Sequence, residues 1–159
     1  MQTILAILKR AGGWHPGLYL RIENAPYMTM VIEATGESGP MGLPVLFVAH
    51  YGEQNGDLMR DPEMCFEIGS DDEPHLDPFY FRNDYIGVEQ WSRNLVCCHY
   101  VALTALHEQH KQFAIEWDNN LRLQGFLYAY ERQEVPRDGM PGHVAADDDA
   151  CHTTNPQYP

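Results

Sequence analysis

The segment from Ala49 to Phe66 constrains this chain most. A nearly continuous apolar run, Val45 to Tyr51, enters an Asn55-Gly56 pair, and an alternating run leaves it. Asn-Gly tolerates the positive φ angles of a tight type I′ turn better than other dipeptides, so two antiparallel strands are expected on either side. Pro62, which has no N–H to give to a ladder, is expected at a bulge, a strand start or an edge.

The same period of two recurs nearby. Leu18, Leu20 and Ile22 alternate with Tyr19, Arg21 and Glu23. Met28, Met30 and Ile32 alternate with Thr29, Val31 and Glu33. Met64, Phe66 and Ile68 alternate with Glu63, Cys65 and Glu67, and Phe79, Phe81 and Tyr85 with Tyr80, Arg82 and Asp84. Alternation over short runs punctuated by Gly, Pro, Asn and Asp predicts half-buried antiparallel strands. The links between them (residues 24–27, 36–43 and 69–78) are short enough for a meander of sequential neighbours. Five strands are therefore expected over residues 17–86.

Residues 2–11 carry Ile4, Leu5 and Leu8 on one helical side, with Thr3 as cap and Gly12-Gly13 as stop. From Val88 to Gln124 there is neither proline nor glycine, and Leu103, Leu106, His110, Phe113, Trp117 and Leu121 recur at spacings of three and four. That predicts a long amphipathic helix, broken near Asn94, with Leu103, Leu106, Phe113 and Trp117 buried against the sheet and His110 partly buried. The fold class is α+β: an antiparallel five-stranded meander, an N-terminal helix and a long C-terminal helix packed on one sheet face. One domain is expected over residues 1–134. Residues 135–159, rich in Pro, Gly, Asp and Ala without periodicity, read as a flexible tail.

The charge is lopsided. The chain carries a formal net charge of −13 in 159 residues. Residues 51–100 hold eleven acids against three bases, whereas residues 1–50 hold three of each. Such a surface repels a phosphate backbone, which excludes direct nucleic-acid binding through a basic footprint, and it attracts basic protein partners. No stretch approaches the roughly 20 apolar residues of a membrane span. Lys9 and Arg10 follow the apolar N-terminal run rather than precede it, which is the wrong order for an export signal. Cysteines at 65, 97, 98 and 151 form no disulfide framework. The expected location is the cytoplasm.

Few motifs point to chemistry. His107-Glu108-Gln109-His110 places its imidazoles three apart rather than the four of a zinc-protease helix, so neither a metal nor another cofactor is expected. Asp71-Asp72-Glu73 lacks calcium-loop spacing, and Cys65 has no nearby activating base in the pattern. Alternation sends Arg21, Glu33, Glu67, Arg82 and Asp84 away from the core, where they and His50 are expected to share one polar face. Around the Asn-Gly turn, Glu53, Asp57, Asp61 and Glu63 crowd at a density that the turn itself does not require. They form the expected docking edge for a basic partner, led by Glu53 and Asp57; a fold-only account stands beside it, in which Asp61 caps the turn backbone and Arg60 pairs with Glu63 or Asp57.

Several segments resemble one family: Gly13-Trp14-His15-Pro16-Gly17-Leu18, Leu20 to Asn24, Ala49 to Met64, Phe81 to Gln90, and Trp117 to Phe126. Together they are similar to an uncharacterised family of small proteobacterial proteins that are cargo of plasmids and integrative conjugative elements. The resemblance runs from about Ile4 to Phe126; Asn119 stands where it implies an arginine. It implies a genetic setting and no catalytic assignment. The leading expectation is a small acidic interaction protein that binds a basic protein surface of the kind that holds nucleic acid, acting as an anti-restriction or anti-CRISPR inhibitor. The alternative is a small-molecule binder or enzyme centred on His50, Arg82 and Asp84. A homodimer joined through Trp14, Tyr19, Tyr27 and Tyr80 is the third reading.

Overall fold

At the Asn-Gly turn Asn55 and Gly56 both adopt positive φ, 55° and 89°. The computed structural model describes residues 1–69 and 73–134. The turn joins β3 (Val45–Gln54) to β4 (Asp57–Gly69), the two longest strands. Before them come α1 (Gln2–Arg10), β1 (Tyr19–Ile22) and β2 (Thr29–Glu33). After them come β5 (His75–Asn83), β6 (Val88–Trp91), β7 (Arg93–Val96), β8 (His99–Ala102), α2 (Thr104–Gln124) and α3 (Phe126–Glu134). Strands β1 to β6 form one antiparallel sheet in sequence order, and β7 and β8 pair separately. The meander thus has six strands where five were expected. The expected tail, 135–159, lies outside the described residues, as do Asp71 and Asp72.

The region read as the first part of a long helix is β6, β7 and β8. Its lack of Gly and Pro was misleading, because Cys97 and Cys98 make the tight turn themselves at φ 50° and 64°. Side chains in the left-handed region cost energy that Gly avoids, so nothing in the local composition marks this turn.

Two register shifts set the side-chain faces. Ala49 faces Glu63 and Tyr51 faces Arg60, so Asp61 and Pro62 stand opposite the single residue His50. Pro62 sits in this bulge, where its missing N–H disturbs no regular ladder bond. In β5, Cys65 faces Tyr80 and Phe66 faces Pro78, which leaves Phe79 as the extra residue. The bulge turns Phe79 away from the face of Phe81 and into a small cluster with Val45, Tyr80 and Cys65.

The main core lies on the opposite face. Ile22, Met30, Ile32, Leu46, Val48, Met64 and Phe66 pack against Ile4, Ile7 and Leu8 of α1, Ala114, Trp117 and Leu121 of α2, and Phe126, Ala129 and Tyr130 of α3. Each large apolar side chain buried there contributes about 1.5–3 kcal/mol. Of the expected helix stripe, Trp117 and His110 are buried, Leu106 and Phe113 half-buried, and Leu103 is 54% exposed. Leu103 is exposed because it precedes the helix rather than lying within it.

The cap of α1 comes from elsewhere in the chain. Thr3 is buried inside the helix. The Asp118 carboxylate of α2 instead accepts the N–H groups of Gln2 (2.8 Å) and Thr3 (2.9 Å), two of the donors that a helix start leaves unpaired. A negative group at this end also suits the helix dipole. Helix α2 stops at Gly125, whose φ of 78° suits a residue without Cβ, and α3 starts at once. Among the described residues no helix is long and apolar enough to cross a membrane.

Candidate functional site

All three helices lie on one face of the sheet, and the other face carries the unusual chemistry. Two residues of the expected docking edge stand at the hairpin tip: Glu53 and Asp57 are exposed, on adjacent strand ends near the turn. The other two turn inward. Asp61 accepts a hydrogen bond from the Asn83 amide, and Glu63 is buried and ion-paired with Arg60. Burial raises the Glu63 pKa above the ordinary carboxylate value, against the opposing pull of Arg60 and then Arg82.

Arg82 and Asp84 meet directly, with Arg82 Nε 2.6 Å from Asp84 Oδ1. Asp84 also accepts the Arg60 backbone N–H at 3.0 Å, while its own N–H donates to the Arg60 carbonyl at 2.9 Å. The Arg60 N–H bond is the main reason that the Asp84 carboxyl titrates below its usual value, with Arg82 assisting. Arg60, Glu63, Arg82 and Asp84 thus form a neutralised lattice that ties β4 to the end of β5.

His50 is not part of it. It points to the helical face, 5.1 Å from the Phe126 ring and 5.6 Å from the Trp117 ring (centroid distances). Its Nδ1 lies 3.1 Å from the Met28 carbonyl, which fixes Nδ1 as the donor in the neutral ring. Burial lowers its pKa, partly offset by that bond and by Asp61. The ring borders a hollow of about 440 Å³ with Asp61, Trp117 and Glu116. His50 therefore does not converge with Arg82 and Asp84: the sheet separates them.

The expected common polar face is likewise divided. Arg21 sits on edge strand β1 and pairs with Glu23 at 3.0 Å. Arg82 is on β5, four strand spacings away, or roughly 19 Å. Glu67 is on the expected face but fully buried rather than wet. The 36–43 loop covers it: Gly39 passes so close to the Glu67 side chain that a Cβ there would collide with Glu67 Cγ. The carboxylate accepts the Met41 N–H at 2.6 Å and pairs with buried Arg93 at 2.9 Å. Arg93 also reaches Asp77 at 3.0 Å, and Asp77 lies 2.8 Å from His107 Nε2. This network joins the loop, β4, β5, β7 and α2. The sequence offered one signal for it, a glutamate between Phe66 and Ile68 opposite Val45, but no marker of its partner.

Nor do the four aromatic residues of the dimer reading form one patch. Tyr80 is buried, Trp14 is half-buried with its indole N–H donating to the Val45 carbonyl, and Tyr27 lies beside Phe126 on the helical side. Among the described residues no three potential ligands gather as a metal cluster.

One feature of the open face was not anticipated. Between the 35–40 loop and the β7–β8 hairpin lies a hollow of about 490 Å³, bordered by Phe47, Cys65, Tyr80, Trp91, Glu37 and Glu63. Among the described residues, no lysine or arginine lines it. Burial raises the Cys65 thiol pKa, and the nearby carboxylates Glu63 and Glu37 raise it further, so the thiol stays protonated and inert.

Fold and site together define a small acidic α+β protein with helices on one side of a sheet and an acidic, aromatic hollow on the other. Residues 2–127 match the family described as a domain of unknown function, DUF6908, and the chain belongs to that family. No curated protein and no solved structure matches it.

Proposed function

We propose that this protein is a non-enzymatic interaction domain that binds a basic protein surface. In its concrete form the partner is a nucleic-acid-binding protein of a restriction or CRISPR system, and the domain inhibits it by presenting carboxylates where phosphates would lie. The proposed setting is a plasmid or integrative conjugative element of a proteobacterium, which the family resemblance implies, and the cytoplasm, which the cysteine pattern and the N-terminal charge order favour. The observation that carries the reading is the disposition of charge. Arg10, Arg21, Arg60, Arg82, Arg93 and Lys111 each pair with a carboxylate of the chain itself, which leaves surplus acids such as Glu53 and Asp57 facing solvent. Of the lysines and arginines among the described residues only Lys9, Arg122 and Arg132 lack a carboxylate partner, and a surface so dominated by free acids attracts basic partners and speeds their encounter. The separation of His50 from Arg82 and Asp84 gives a reaction centre built on those three residues no support.

The test is capture on immobilised protein from a proteobacterial lysate, with duplex DNA as competitor, for the wild type and for Glu53→Gln with Asp57→Asn. The expected result is that bound proteins are displaced by DNA and that the double variant retains less, most visibly at low salt, while its melting temperature holds or rises. Retention that neither DNA nor the double variant changes would overturn the proposal. So would a collapse of stability in the double variant, because these carboxylates would then be structural.

A further inference from the structure

The hollow on the open face is built differently from an ordinary wet sheet surface. Its floor is aromatic. Trp91 is 45% exposed yet held in place, with its ring 4.5 Å from Tyr80 and 6.1 Å from Phe79 (centroid distances). The Tyr80 hydroxyl is committed to Glu89 at 2.9 Å, which fixes the ring further. Two carboxylates border the hollow from different elements, exposed Glu37 on the loop and buried Glu63 on β4. The Arg60 pairing answers Glu63, whereas Glu37 takes part in none of the ion pairs described above. The volume, about 490 Å³, is within the usual range of ligand pockets.

We infer that this hollow is the socket for an arginine side chain of the basic partner, with the guanidinium stacked on Trp91 and paired with Glu37. The inference rests on the proposed basic partner and names where on this protein that partner anchors. Charge complementarity chooses the occupant: the lining holds acids and aromatic faces and, among the described residues, no cation. Guanidinium is planar, weakly hydrated and suited both to stacking on indole and to pairing with a carboxylate, which an ammonium group does less well. An anion would be repelled. A purely apolar side chain would desolvate the exposed Glu37 carboxylate without giving it a partner. The pre-set Trp91 ring lowers the ordering cost of binding.

The probes are a short blocked peptide containing two arginines, the same peptide with citrulline in their place, and arginine amide alone. Binding is followed by calorimetry and by NMR at the Trp91 indole N–H. The arginine peptide is expected to bind at least about tenfold more tightly than the citrulline peptide and to shift the Trp91 signal. Trp91→Ala and Glu37→Gln are each expected to weaken it about three- to tenfold. Glu53→Gln with Asp57→Asn, outside the hollow, should change it less than about twofold. Glu37 is on an exposed loop, so its variant remains informative if Trp91→Ala fails to fold.

Equal binding of arginine and citrulline peptides overturns the inference. So does wild-type affinity in Glu37→Gln together with an unmoved Trp91 signal, which would mark the binding as diffuse attraction to an acidic protein. Arginine amide binding as tightly as the peptide overturns it too, in favour of a free small cation. The two proposals fail separately. Lysate capture that depends on Glu53 and Asp57 but not on Glu37 and Trp91 removes the socket and keeps the acidic docking. Peptide binding without any DNA-competed partner keeps the socket and removes the nucleic-acid-site partner.

Discussion

His110 lies on the buried side of α2, 3% exposed, with its ring 5.9 Å from that of Phe81. Neither ring nitrogen has a hydrogen-bond partner among the described residues. Burial, and then the neighbouring His107, lower its pKa from 6.5 to about 4. The sign of the consequence follows from linkage. Between the two values the unfolded chain binds the proton and the folded chain does not, so stability falls as pH drops from about 6.5 towards 4 and this contribution is exhausted below that. The loss attributable to His110 is about 3 kcal/mol at most. His50, whose pKa is also lowered by burial, acts in the same direction. Replacing His110 with Leu should raise stability near pH 7 by about 1 kcal/mol, because two desolvated nitrogens disappear. It should also shrink the acid-induced loss without abolishing it, since His50 remains. Urea unfolding at a series of pH values checks both. An unchanged pH profile would mean that folding does not alter the proton affinity of His110.

At the scale of elements, what was legible followed from side-chain alternation and from turn chemistry that has a compositional marker. The Asn55-Gly56 hairpin, the antiparallel order of β1 to β5 and the inward set of Met30, Ile32, Met64 and Phe66 could all be read. The β7–β8 hairpin could not, because Cys97-Cys98 occupies a turn that normally advertises itself with Gly or Asn. Phe79 was assigned to the wrong face because a single-residue bulge is invisible to a period-two count, and a one-residue shift reverses every assignment beyond it. Arg93 joins these elements. Its side chain is 5% exposed between Glu67 and Asp77, so removing it takes the counter-charge from fully buried Glu67 and leaves Asp77 with His107 alone. Arg93→Met should cost about 3–5 kcal/mol. Adding Glu67→Met should restore part of that loss, because the fully buried charge goes with its partner. A denaturant double-mutant cycle measures the coupling. Strictly additive losses would show that the pair does not tie the 36–43 loop and the hairpin to the sheet.

For the whole molecule, the sequence showed where acids crowd but not how each is held. Counting acids around the turn favoured docking for Glu53 and Asp57 and left a fold role open for Asp61 and for an Arg60 pair with Glu63 or Asp57; that Asp61 meets Asn83 and Arg60 meets Glu63 depends on the bulge, which the count cannot see. The hollow beside Trp91 was beyond reach, since it needs a loop, four strands and a second hairpin to converge. The domain boundary can be resolved by experiment. The family match ends at residue 127, yet Ala129 and Tyr130 of α3 are core residues, and Glu131 pairs with Arg10 of α1. Packing against the core therefore continues past residue 127 into α3. A chain ending at Glu134 should melt within about 2 °C of the full chain. A chain ending at Leu127 loses a buried tyrosine and the α1 ion pair, about 3 kcal/mol, and should melt roughly 10 °C lower. Calorimetry of the three chains decides. If the chain ending at Leu127 melts with the full one, α3 is an appendage and the matched segment is the whole unit. If the chain ending at Glu134 melts well below it, residues 135–159 contribute to the fold and the expectation of a separate tail is wrong.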